Sequence, residues 1–254
     1  AAPGFAYWKA RALFEQGRAA EALDLLKDFK RAFGDNPYRL RVDRLRIKCH
    51  LQLQRYDDAL DVFKTLGKNY SHVPEFPDIL LEWAGTLISM GKSDDSVEIL
   101  QRILDDYPLS ESASRARLWM GEIYTVRQDT DRAEQMLKTL AEDELAQPDR
   151  RASAWLALAR IYETKTNLAA AVDALANVSV MARDTSIVNR GNLSRGKLLV
   201  RSGRVDEGIR VLQDFVRANL SDPMAATVQL ELAESLFEMS LFDKAAEEFQ
   251  HYLE

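Results

Sequence analysis

A small residue recurs every 37 or 38 positions along the chain, and any fold must accommodate this repeat. The recurring residues are Ala22, Ala59, Ser96, Ala133, Ala171, Gly208 and Ala245. We call residues at equivalent positions of successive repeats a column. A second column lies twelve residues earlier and is small at every position except Ile47: Ala10, Ile47, Ala84, Gly121, Ala159, Gly196 and Ala233. A glycine inside a helix costs about 1 kcal/mol relative to alanine, so its presence suggests that another backbone comes close. The two columns therefore predict one close helix crossing per repeat.

Two apolar columns follow each small residue, at spacings of four and seven. They are Leu26, Phe63, Leu100, Leu137, Leu175, Leu212 and Phe249, and then Phe29, Leu66, Ile103, Leu140, Val178, Phe215 and Tyr252. Spacings of three, four and seven are helical, and the alternation typical of strands is absent. Turns are expected at Gly17, Gln54, Gly91, Gln128, Thr166, Gly203 and Ser240. Prolines fall between the repeats, where they stop or start helices. The sequence predicts an all-α chain of about seven antiparallel helical hairpins.

The stretch "AWLALARIY" carries Trp155, Leu158, Ala159 and Tyr162, and Ala171 and Leu175 follow it. This pattern resembles the tetratricopeptide repeat, and a second stretch that ends at Pro108 supports the likeness. The resemblance implies a right-handed α-solenoid, although this chain departs from the family's period of 34 residues by repeating at 37. Because each repeat buries its apolar face only by stacking on its neighbours, we expect one domain over 1–254. The expected repeats are 3–37, 38–75, 76–110, 111–148, 149–187, 188–223 and 224–254. Because the sequence stops inside the second helix of the seventh repeat, we expect it to be part of a longer chain.

The junction "DDYPLSESASRARLWMGEIY" is similar to the repeats of bacterial envelope proteins such as the outer-membrane assembly lipoprotein and the Tol-Pal coordinator. This resemblance implies a periplasmic or cell-envelope location. A cytoplasmic location is the alternative.

Composition excludes several classes of protein. The net charge of -6 and the pI near 5.3 argue against a nucleic-acid partner, which normally requires a basic domain or stripe. No apolar run reaches the roughly 18 residues that span a bilayer, so no membrane insertion is expected. A single cysteine, Cys49, excludes an internal disulfide framework.

The sequence gives no sign of catalytic chemistry. His50 and His72 both fall in the expected repeat 38–75 but far apart along the chain, and His251 falls in the repeat 224–254. There is no zinc-protease, phosphate-loop or paired-cysteine motif. His50 falls in a column otherwise made of leucine and tyrosine, which indicates a packed side chain. We therefore expect a protein that is not an enzyme and that uses no cofactor or metal.

A column of leucines is the first candidate binding surface. It comprises Leu81, Leu118, Leu156, Leu193 and Leu230, three residues before the earlier small column. The resemblance places first helices on the concave side, so these leucines could form an apolar floor for a partner polypeptide. The alternative is that they only pack neighbouring first helices together.

Basic residues form the second candidate surface. Arg41, Arg44 and Lys48 share one helix face, and Arg190, Lys197 and Arg201 align in the same way. On an acidic protein these patches suggest a partner segment with acidic residues. The alternative is that they are ordinary solvated side chains.

These features predict a non-enzymatic scaffold that binds another protein or peptide in its concave groove. The competing hypothesis is a structural or assembly segment of a larger envelope complex that makes its contacts through its ends. Self-association through the C-terminal end belongs to that second hypothesis.

Overall fold

The computed structural model describes residues 2–221 and 223–253, without the side chains of 223 and 251–253. Within these ranges the chain forms helices and no strand. The helices are α1 (Pro3–Glu15), α2 (Ala19–Leu26), α3 (Phe29–Phe33), α4 (Arg39–Gln52), α5 (Tyr56–Asn69), α6 (Phe76–Ser89), α7 (Ser93–Asp106), α8 (Glu111–Val126), α9 (Thr130–Glu142), α10 (Pro148–Thr164), α11 (Leu168–Met181), α12 (Thr185–Arg201), α13 (Val205–Ala218), α14 (Pro223–Glu238) and α15 (Phe242–Leu253). The prediction of an all-α chain is confirmed.

The helices pair as seven hairpins, as the repeat predicts. In the first hairpin α2 and α3 together take the place of one second helix, interrupted at Lys27 and Asp28. The other six hairpins are α4 with α5, α6 with α7, α8 with α9, α10 with α11, α12 with α13, and α14 with α15.

The turn of every hairpin has the same backbone geometry. All seven predicted turn residues have positive φ, between 56° and 85°. At the first turn the Gly17 amide donates to the Phe14 carbonyl and the Arg18 amide donates to the Leu13 carbonyl, each at 2.9 Å. The same pair of bonds closes the other six turns. This is the Schellman ending, which satisfies carbonyls that a helix C-terminus would leave without donors.

Small residues sit where the two helices of a hairpin cross. A Cβ added to Gly121 would lie 2.5 Å from Leu137 Cγ, and one added to Gly196 would lie 2.5 Å from Leu212 Cγ. In the third hairpin the Ser96 hydroxyl donates to the Ala84 carbonyl at 3.1 Å. The predicted close crossings are therefore confirmed at these three hairpins.

The apolar columns form the core between the helices. The described members of both columns are buried, apart from Phe249, which is partly buried. The side chain of Tyr252 lies outside the described residues.

The chain divides into two compact units. The N-terminal unit, residues 1–116, contains α1 to α7 and the start of α8. The C-terminal unit, residues 117–254, contains the rest of α8 and the helices up to α15. The single domain over 1–254 stays a prediction.

Candidate functional site

An open groove in the C-terminal unit has three of the predicted leucines in its lining. Leu118 on α8, Leu156 on α10 and Leu193 on α12 border a space of about 370 Å³, which we call the leucine groove. All three side chains are partly buried. Leu156 and Leu193 also pack against core clusters, so each contributes to the core while bordering the groove.

The other two predicted leucines do not line this groove. Leu81 belongs to the N-terminal unit and is only 1% exposed, which leaves it almost no surface for a partner. Leu230 lies on α14 and is partly buried.

Charged residues line the leucine groove beside its apolar floor. Arg190, predicted from the sequence, lies here together with Glu122, Arg160 and Glu163. Within the described part of the chain, Arg160 and Arg190 make no ion pair, whereas Glu163 Oε2 lies 3.2 Å from a guanidinium nitrogen of Arg201. Partial desolvation raises the pKa of Glu122, and Arg160 acts in the opposite direction.

Glu122, Arg160 and Glu163 were not among the binding residues predicted from the sequence. Glu122 and Arg160 follow Leu118 and Leu156 by four residues, which is one helical turn. That spacing could have identified them as neighbours of the leucine floor.

The first basic patch forms a pocket in the N-terminal unit. Arg41, Arg44 and Lys48 on α4 line a space of about 230 Å³ together with side chains of α1, which we call the basic pocket. The α1 side chains are Tyr7, Arg11, Phe14 and Glu15. The structure thus brings the three predicted cations together and adds Arg11.

Ion pairing within the protein divides the cations of this pocket into two kinds. Arg44 pairs with Glu82 on α6, and Arg11 Nε lies 3.6 Å from Glu15 Oε1. Arg41 stacks over the Tyr38 ring at 5.8 Å but makes no ion pair with any described residue. Lys48 is likewise free of ion pairs within the described ranges, and both side chains are exposed.

The second basic patch is divided between two surfaces. Lys197 and Arg201 line a smaller cleft of about 170 Å³ with Val228 and Leu232, whereas Arg190 lines the leucine groove. Lys197 pairs with Glu231, and Arg201 pairs with Glu163. These intramolecular pairs leave Arg190 as the unpaired member of this patch.

Two reactive residue types are packed in the N-terminal unit. Burial raises the pKa of the Cys49 thiol to about 11, which disfavours the nucleophilic thiolate. Burial lowers the pKa of His50, an effect that Asp58 opposes from 3.6 Å.

The described residues contain no cluster of three metal-ligating side chains. Among the helices described, none is long and apolar enough to cross a bilayer.

Comparison with known proteins identifies the repeat. Two family models described as "Tetratricopeptide repeat" match the chain, one over residues 81–143 and 193–254 and the other over residues 13–72. No curated protein matches it.

Solved structures share the fold at low sequence identity. The C-terminal part of a tetratricopeptide repeat protein from Cytophaga hutchinsonii has a TM-score of 0.73 and 14% identity, covering 97% of this chain and 94% of that one. A tetratricopeptide repeat protein from Parabacteroides merdae has a TM-score of 0.60 and 17% identity, covering 98% and 91%. YrrB, described as having an unusual peptide-binding site, has a TM-score of 0.50 and 16% identity, covering 70% and 86%.

These similarities confirm the predicted fold class, an α-solenoid of helical hairpins. Proteins with this repeat generally mediate protein–protein interaction and are generally non-enzymatic scaffolds. The chain belongs to the tetratricopeptide repeat family.

Proposed function

We propose that this chain is a scaffold that holds a segment of a partner polypeptide in the leucine groove. The observation that carries the proposal is that Leu118, Leu156 and Leu193, from three successive first helices, border an open space of about 370 Å³. An apolar floor with a few charged groups beside it is the usual chemistry of a peptide groove. YrrB, which has a similar fold, is described by its peptide-binding site.

The charges of the groove favour a partner with acidic residues. Arg160 and Arg190 have no ion-pair partner in the described part of the chain, so an incoming carboxylate would not have to displace one. The basic pocket of the N-terminal unit would contact acidic groups in the same way.

A capture experiment tests the groove. The double variant Leu156→Glu, Leu193→Glu would place two carboxylates on the floor. The matched control Leu145→Glu, Val180→Glu makes the same change at side chains of the same unit that are 87% and 89% exposed. We expect a polypeptide from extracts of producing cells to be held by wild type and control and lost by the groove variant. Retention of the same polypeptide by a groove variant with native circular dichroism would contradict the proposal.

Exposed aromatic residues on the terminal hairpins favour a second candidate function. Phe237 and Phe242 are each 57% exposed, although Val200, the repeat equivalent of Phe237, is buried. Phe5 is 65% exposed, whereas its equivalents Val42 and Ile79 are buried. Exposed apolar patches mark interaction sites, so the second candidate is an assembly segment that makes its contacts through these hairpins.

Sedimentation at several concentrations tests self-association through the last hairpin. We expect association that grows with concentration in the wild type and is lost in Phe237→Glu, Phe242→Glu. A wild type that stays monomeric over the whole range would exclude this form of the second candidate.

We also propose a bacterial cell-envelope location for the chain. The support is the likeness of the junction "DDYPLSESASRARLWMGEIY" to repeats of envelope proteins. Fractionation of producing cells should place the protein with periplasmic or envelope markers. Recovery with cytoplasmic markers would contradict this location.

A further inference from the structure

The basic pocket of the N-terminal unit carries an excess of positive charge in a small space. Arg11, Arg41, Arg44 and Lys48 supply four cations around about 230 Å³. Glu15, which lines the pocket, and Glu82, which pairs with Arg44, supply two carboxylates. These six groups therefore have a net formal charge of +2, although the net charge of the whole chain is -6.

This charge excess is located on two side chains. Arg11 and Arg44 have intramolecular carboxylate partners, while Arg41 and Lys48 pair with none of the described residues. Arg41 is held over the Tyr38 ring at 5.8 Å, and the Tyr38 ring lies 5.6 Å from Tyr7, which lines the pocket. The aromatic contact restricts Arg41 without neutralising its charge.

Two unpaired cations at one pocket complement one doubly charged anion. A single carboxylate carries one negative charge, whereas a phosphorylated side chain carries about 1.5 to 2 at pH 7. Phosphate also offers three acceptor oxygens, which suit guanidinium groups approaching from two helices. A phosphate could therefore contact the cations of α1 and α4 together, whereas one carboxylate would leave much of the excess charge uncompensated.

We infer that the basic pocket binds one phosphorylated side chain of the partner polypeptide. Arg41 and Lys48 supply the unpaired charge, and Arg44 and Arg11 supply further donors. The inference rests on the proposed function in that the phosphate belongs to a polypeptide held by this scaffold.

Binding of small probes to the whole chain tests the inference. The probes are capped phosphoserine, capped aspartate and capped serine, each N-acetylated and amidated. Binding is followed through the backbone and arginine side-chain N–H resonances of the ¹⁵N-labelled protein. We expect saturable shifts at Arg11, Arg41 and Arg44 with phosphoserine, at least tenfold tighter binding than with aspartate, and no shifts with serine.

Two variants locate the site. Arg41→Gln, Lys48→Gln should weaken phosphoserine binding at least tenfold while lowering the melting temperature by at most a few degrees. Neither side chain has an ion pair to lose, and Arg41 loses only an exposed contact with the Tyr38 ring. The matched control Lys9→Gln, Lys68→Gln removes two exposed lysines of the same unit that do not line the basic pocket, and it should bind phosphoserine as wild type does.

Three results would overturn the inference. They are equal affinity for aspartate and phosphoserine, no saturable shift with phosphoserine, and unchanged binding by a folded Arg41→Gln, Lys48→Gln variant. None of them affects the proposed function, which depends on partner loss from the Leu156→Glu, Leu193→Glu variant. If the Leu156→Glu, Leu193→Glu variant still holds its partner and phosphoserine still binds the protein, the leucine groove is rejected as the partner-binding surface.

Discussion

At the scale of single residues, Gly121 is constrained more by space than by helix propensity. Alanine normally stabilises a helix relative to glycine by about 1 kcal/mol. Here a Cβ at position 121 would lie 2.5 Å from Leu137 Cγ, and Leu137 is fully buried. We expect Gly121→Ala to lower the free energy of unfolding by about 1 to 3 kcal/mol, measured by urea denaturation.

Gly67 on α5 provides the matched control for this prediction. A Cβ there would lie 3.9 Å from its nearest neighbour, a ring carbon of Trp83, which is ordinary contact. Gly67→Ala should therefore raise the free energy of unfolding by about 0.4 to 1 kcal/mol. If both substitutions stabilise the protein, the close crossing at Gly121 does not limit its packing.

His50 gives the stability a dependence on pH. Burial lowers its pKa below the usual 6.5, so folding disfavours the protonated imidazole. The stability contributed by neutral His50 is present above pH 6.5 and is lost as the pH falls through the lowered pKa. We expect the free energy of unfolding to fall less steeply below pH 6.5 in His50→Leu than in the wild type. Equal slopes in a denaturation series from pH 7.5 to 5 would contradict this.

At the scale of helices and turns, all seven hairpins have a residue with positive φ in their turn, but the residues at that position differ in how easily they adopt positive φ. Glycine occupies three of the seven positive-φ turn positions, and Gln54, Gln128, Thr166 and Ser240 occupy the others. Thr166 is the least suited, because a β-branched residue rarely adopts positive φ. Replacing Thr166 with glycine should raise the free energy of unfolding by about 1 kcal/mol.

Gly91 allows the reverse experiment. Its φ is 73°, and a Cβ there would meet no atom within 4 Å, so backbone conformation alone decides the effect. Gly91→Ala should lower the free energy of unfolding by about 1 kcal/mol. Thermal or urea denaturation of both variants checks the pair, and a destabilised Thr166→Gly variant would be inconsistent with strain at that turn.

The helices and turns were the most predictable part of this structure. The same residue pattern occurs in all seven repeats, so single exceptions do not hide it. Examples are Ile47 at a position that is small in the other repeats and His50 at a position that is otherwise leucine or tyrosine. The break at Lys27 and Asp28 was not predicted, because no member of the repeated columns marks it.

At the scale of the whole molecule, the binding surfaces were less predictable than the fold. Leu81 and Leu156 occupy the same repeat position, yet Leu81 is buried and Leu156 borders a groove. Similarly, Arg190 and Arg201 lie on one helix, yet the sequence could not show that Glu163 would pair with Arg201. Exposure and pairing depend on side chains from neighbouring hairpins, and the spacing within one repeat does not contain that information.

If the leucine groove holds a partner polypeptide, a residue in its lining must lie within reach of that polypeptide. Site-specific photo-cross-linking measures this contact, with a photoreactive amino acid at Ala157 in the groove and, as a control, at exposed Val180 in the same unit. In producing cells, we expect the probe at position 157 to cross-link one polypeptide through a single segment and the probe at 180 not to do so. Cross-linking of that segment from position 180 but not from 157 would contradict the proposed role of the groove.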